Sequence, residues 1–181
     1  MMKDRLEPKA AQMIQEDDEG TFEARRARLQ FVLDNSKDDV DYFTSGLAAN
    51  YRDEAMLCWV TGAFAAAVVM TRLAFEALLA TPYRLNKKHE DDRAKLTNTS
   101  FFNIIEEAEN DGWITKEDAL ALHELREANI SCVQVHDPVT DIKFFNQGRG
   151  IKEYGEGVAD IAKKSIVLLL TLFPQLSRKI W

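Results

Sequence analysis

Apolar positions thicken into one stretch of this chain. The seventeen residues from Ala55 to Thr71 carry no charge, and through Asp53–Leu79 apolar side chains recur three and four positions apart. One row runs Met56, Val60, Phe64, Ala67, Thr71, Phe75 and Leu78, and a second runs Trp59, Ala66, Val69, Met70 and Leu73. The pattern predicts one long helix, apolar nearly all round, which must be enclosed by other helices or by lipid. Lipid is the weaker reading, because a span needs roughly 18 to 20 uncharged residues and Arg72 and Glu76 follow at once. The helix is expected to end near Thr81–Pro82, since the residue before a proline is pushed out of the α region.

The remaining pattern supplies partners for it. A helix is expected from an N-cap at Thr21 to Asn35, with Phe22, Leu29, Val32 and Leu33 apolar and Arg25, Arg26 and Arg28 on a solvated face. Asp38–Asn50 reads as a further helix running almost continuously into the central one. Arg84–Thr99 is charged, poorly periodic and reads as a connection. Ser100 caps a short helix over Phe101–Asn110 that stops at Asp111-Gly112, and Thr115 with Asp118 forms a capping box for a helix from Lys116 onward. A strongly apolar helix is expected over Glu156–Phe173, ended by Pro174. The long loop Asp137–Gly155 carries Phe144, Phe145, Arg149 and Tyr154, and an aromatic-plus-arginine set of this kind can stack on a base, which makes Arg149 and Tyr154 candidate binding residues.

Composition narrows the class. A length of 181 residues with 46% hydrophobic and 29% charged side chains fits one domain with a proper core, residues 21–181, preceded by a polar lead-in over 1–20. The net charge of −7 argues against a surface that coats nucleic acid, though a local patch could still hold phosphate. Cys58 and Cys132 give no disulfide framework, and the N-terminus has the features of neither a signal nor a transit peptide, so a cytoplasmic protein is expected. Three histidines and two cysteines without close spacing leave no metal site, and there is no glycine-rich phosphate loop or nucleophile elbow, so no cofactor is expected.

Two blocks resemble a known family. The small-residue run through Cys58, Gly62, Phe64, Ala67, Met70, Arg72, Ala74, Glu76 and Leu79 looks like the long helix of DUF4145-type proteins, within the HEPN group of α-helical domains. The segment Ser100–Pro138 extends the likeness through Phe101–Ala108, Asp111-Gly112-Trp113-Ile114, Leu122, Leu125, Arg126 and His136 with Pro138. In catalytic members the resemblance implies metal-independent RNA cleavage, with an arginine followed by four to six residues and then a histidine. There the histidine moves a proton and the arginine stabilises charge on the phosphoryl group. This chain departs from that pattern. Asn129 stands where the arginine is expected, and Arg126 is separated from His136 by nine residues. On an unbroken helix those two would lie roughly 15 Å apart, so one phosphate could be reached by both only across a dimer.

The same residues have a structural reading. Leu122, Asn129 and His136 recur every seven positions, as do Leu125 and Cys132, which fits a seam between paired helices with polar residues fixing the register. His123 is expected to be exposed or partly buried rather than a ligand. Arg72 and Glu76, four apart in an apolar helix, are expected to form a buried ion pair.

The sequence therefore predicts an all-α, HEPN-like bundle of five or six helices, a homodimer through the helix bearing Asn129 and His136, with no membrane partner. The function implied by the resemblance is a module with a degenerate motif that binds RNA or a protein partner in a prokaryotic defence or stress-response setting. The alternatives are a metal-independent endoribonuclease using His136 and Arg126 across the dimer, with Asn129 assisting, and a purely structural dimerisation module.

Overall fold

The computed structural model describes residues 21–36, 45–85, 100–133 and 151–180. Among these there are six helices and no strand, in keeping with the all-α bundle expected. We label them α1 (21–35), α2 (Gly46–Thr61), α3 (Phe64–Leu85), α4 (Phe101–Asn110), α5 (Lys116–Val133) and α6 (Ile151–Ile180). The lead-in 1–20 lies outside the described residues.

α3 is the hub. It packs along α2 and α6 and also against α5 and α4, while α4 pairs with α5. Ala67, Val68, Thr71, Ala74, Phe75 and Leu78 are fully buried on it, and Phe75 meets Phe173 of α6 edge-on at 5.8 Å. Each such large side chain contributes about 1.5–3 kcal/mol by leaving water. The stretch Phe64–Thr81 is long and apolar enough to cross a membrane by length and composition, and more than half of it is covered by the other helices.

The helix boundaries differ from the sequence expectation at the Gly62 corner, at both prolines and at the start of α6. The predicted single central helix is two helices, and the helix expected to run almost continuously into it does so over the described residues, where α2 is unbroken from Gly46 to Thr61. The chain turns at Gly62, whose φ of 86° is left-handed. Gly62 N–H donates to Trp59 O and Ala63 N–H donates to Cys58 O, the paired bonds of a Schellman cap. Uninterrupted apolar periodicity hid this corner, since one glycine among alanines leaves the pattern intact. Neither proline ends its helix: α3 passes through Pro82 to Leu85 and α6 through Pro174 to Ile180. Each proline removes one ladder hydrogen bond. The burial of Leu78, Leu79 and Thr81 before Pro82, and of Phe173 and Leu176 around Pro174, outweighs that loss. α6 also begins at Ile151, so part of the expected Asp137–Gly155 loop is helical.

Elsewhere the local signals are realised. Ser100 accepts from Asn103 N–H, and Thr115 and Asp118 cap each other reciprocally at 3.0 and 3.2 Å. Gly112, at φ 74°, closes α4 with a second Schellman cap, Trp113 N–H to Ala108 O and Gly112 N–H to Glu109 O. α1 lies against the α2–α3 corner and α6. Its Arg28 Nε donates to Val60 O at 3.0 Å and its guanidinium sits 5.5 Å from the Phe64 ring, while Phe31 packs 5.7 Å from Trp59 and beneath Lys163 of α6. Burial, with Arg25 nearby, lowers the Arg28 pKa from its ordinary value.

Candidate functional site at the α4–α5 face

Polar chemistry gathers where α4 meets α5. The capping turn 111–115 folds α5 back along α4, so that Phe102 and Glu106, one turn apart on α4, face His123 and Arg126 on α5. His123 Nε2 lies 2.9 Å from Glu106 Oε1, and its ring packs 4.9 Å from that of Phe102. The Arg126 guanidinium lies over the same Phe102 ring at 5.4 Å and bonds to Glu127. On the other flank of the α4 N-terminus, Arg72 of α3 lies 5.5 Å from the Phe101 ring while its Nη2 donates to Glu76 Oε2 at 2.7 Å. Neighbouring aromatics thus each receive an arginine, one from α3 and one from α5, and each arginine is also held by a carboxylate.

His123, Arg126 and Asn129 follow one another at three-residue spacing, each turned about 60° round α5 from the last, so the row passes from the rim into the core. His123 and Arg126 are half-buried, and Asn129 is 8% exposed. His123 Nδ1, Arg126 Nε and Asn129 Oδ1 are buried without a hydrogen-bond partner among the described residues. The Arg72–Glu76 pair, expected to be buried, keeps 27% and 28% of its side-chain surface exposed and so sits at the rim of the core.

The predicted seam is turned inward. Leu122 and Leu125 are buried with Asn129 in the chain's own core, where α5 packs on α3, α4 and α6. His136 and Arg149 lie outside the described residues, as does the side chain of Tyr154, whose backbone is helical within α6. Of the sequence-predicted set, Arg126 and Asn129 come together on α5, and Arg72 and Glu76 on α3 border the same α4 N-terminus. The sequence reading missed Phe102 and the role of His123. The three-residue spacing of His123, Arg126 and Asn129 was the signal available for the latter, while nothing local marks Phe102.

The electrostatics of this face are decided by count. Residues 101–133 hold eight carboxylates against Lys116 and Arg126, a net of −6, which is nearly all of the chain's −7. Both arginines at the site are matched by an acid, Arg72 by Glu76 and Arg126 by Glu127, and the His123 ring lies against Glu106. A phosphate approaching this surface would meet neutralised arginines and surplus negative charge. No group of three or more His, Cys, Asp or Glu among the described residues could hold a metal ion. Comparisons with protein-family models, curated proteins and solved structures give no match to this chain.

Proposed function

We propose that this chain is a HEPN-like helical module that acts by binding a protein partner through the α4–α5 face. The observation that carries the reading is the net −6 of residues 101–133 together with the pairing of Arg126 and His123 to carboxylates. Arginine held by a neighbouring acid is poorly disposed to clamp a phosphoryl group, and the imidazole that shares its face is engaged by Glu106. Exposed Phe102 with flanking half-buried polar groups is the kind of surface protein partners use. The prokaryotic defence or stress-response setting rests on the family resemblance alone.

The deciding experiment is incubation of the purified protein with a labelled mixed-sequence RNA in EDTA, beside Arg126→Ala and His136→Ala. The expected result is no cleavage by any of the three and no saturable RNA binding that Arg126→Ala removes. Cleavage by the wild type that His136→Ala abolishes would overturn this reading in favour of the metal-independent endoribonuclease.

A further inference from the structure

Two surfaces of this chain carry most of the exposed large apolar side chains among the described residues, and their charges are opposite. On α1, Phe22, Leu29 and Leu33 are 61%, 47% and 59% exposed and fall on one helical stripe, since positions seven and eleven apart return to the same face. The exposed Arg25 and Arg26 border that stripe, and Glu23 and Asp34 lie to one side of it. The opposite side of α1 is the one fixed to the bundle, through Arg28, Phe31 and Val32. On the α4–α5 face, Phe102 and Leu120 are 42% and 62% exposed. The exposed Glu106, Glu124 and Glu127 surround them within the −6 segment. One surface is therefore an amphipathic helix with cationic borders, and the other an anionic face with two apolar anchors. α1 rests on the α2–α3 corner and α6, while α4 packs on α3 and α5, and α5 also on α6, so the two surfaces are carried by different helices.

We propose that the partner seated on the α4–α5 face is α1 of a second copy of this chain. This inference rests on the protein-binding reading above and names its occupant. The charge complementarity is heterologous: the apolar stripe with Arg25 and Arg26 of one copy meets Leu120, Phe102 and the glutamates of the next. An arrangement that uses two different patches leaves one of each free at the ends, so it grows into a ring or a chain instead of closing as a two-fold dimer. The exposed apolar area is small, so the contact is of the transient class.

Sedimentation equilibrium of the full chain tests it, with two sets of exposed substitutions. Leu29→Glu with Leu33→Glu spoils the α1 stripe, and Leu120→Lys with Glu124→Lys spoils the receiving face. For the wild type the average mass is expected to rise with concentration from about 10 µM to about 1 mM, and to fall back between about 50 and 500 mM salt. Each variant alone is expected to lose at least tenfold in association while keeping its helical circular dichroism. Mixing the two variants is expected to restore association that stops at a pair, because only one intact interface then remains. Should the α1 double variant lose helix, Arg25→Glu with Arg26→Glu gives the same reading from charge alone. A wild type that stays monomeric throughout, association that survives either variant, or a mixture that fails to pair would each overturn the proposal. A monomeric protein that also neither binds nor cleaves RNA would leave the protein-binding reading standing.

Discussion

Asn129 is the least comfortable residue of the core. Its side chain is 8% exposed and its Oδ1 has no partner among the described residues, whereas the buried hydroxyls of Thr71, Thr81 and Ser165 each return a hydrogen bond to a carbonyl one turn back. An unmet buried amide costs on the order of 1–3 kcal/mol, and an apolar replacement of similar shape removes that cost. Asn129→Leu is therefore expected to raise stability by about 1 kcal/mol, read as a higher urea midpoint with an unchanged slope. A clear loss of stability would show that the amide has a partner and that its burial is not strained. At this scale the sequence was legible wherever the partners are close along the chain. Ser100, Thr115 with Asp118, and Arg72 with Glu76 are all pairs within four residues. His123 with Glu106 spans 17 positions, and nothing in the local pattern marks such a contact. The seven-residue row of Leu122 and Asn129 correctly indicated a packed face, but spacing alone does not say whether the opposing helix belongs to the same chain.

Among the elements, the α2–α3 corner depends on one residue. At φ 86°, Gly62 occupies a region that disfavours any side chain by about 1–2 kcal/mol, and an added Cβ would stand 3.3 Å from Arg28 Nη2. Gly112, at φ 74°, has nothing within 4 Å of the same position. Gly62→Ala is expected to destabilise by about 1–2 kcal/mol in thermal or urea unfolding, and Gly112→Ala by the left-handed penalty alone. Equal stability of wild type and Gly62→Ala would mean that the corner relaxes without its glycine. Nothing in the local pattern marks the corner, because the residues on both sides are apolar and helix-forming. For the prolines the error ran the other way, since a local stop signal was overruled by tertiary burial that sequence reading cannot weigh.

Across the whole molecule, charge is unevenly shared: one helical pair holds −6 and everything else together −1. Like charges on α4 and α5 repel over the 30 Å or so of a Debye length near 10 mM salt and much less over the roughly 8 Å at physiological strength. At protein concentrations too low for self-association, adding salt over that range is expected to raise the melting temperature by about 1–2 °C, from roughly half a kcal/mol of relief. A fall would mean that the pairs Arg72–Glu76, Arg126–Glu127 and His123–Glu106 matter more than the surplus. The fold class and helix count were legible from periodicity and caps, while the site was legible only in part. Spacing from His136 singles out Arg126 and Asn129, whereas the structure sets Arg126 and His123 against the one Phe102 ring.

The tight corner at Gly62 also bears on the order of events when the chain folds. Among the described residues the most extensive contact between two helices is made by α2 and α3, neighbours separated by only two residues, so almost no loop entropy opposes it. That hairpin can form early, with α6 arriving from far downstream to complete the hub's burial. If so, Gly62→Ala slows refolding by most of its stability loss, whereas Phe173→Ala on α6 chiefly speeds unfolding. Stopped-flow kinetics in which Gly62→Ala changes only the unfolding arm would place the corner late instead.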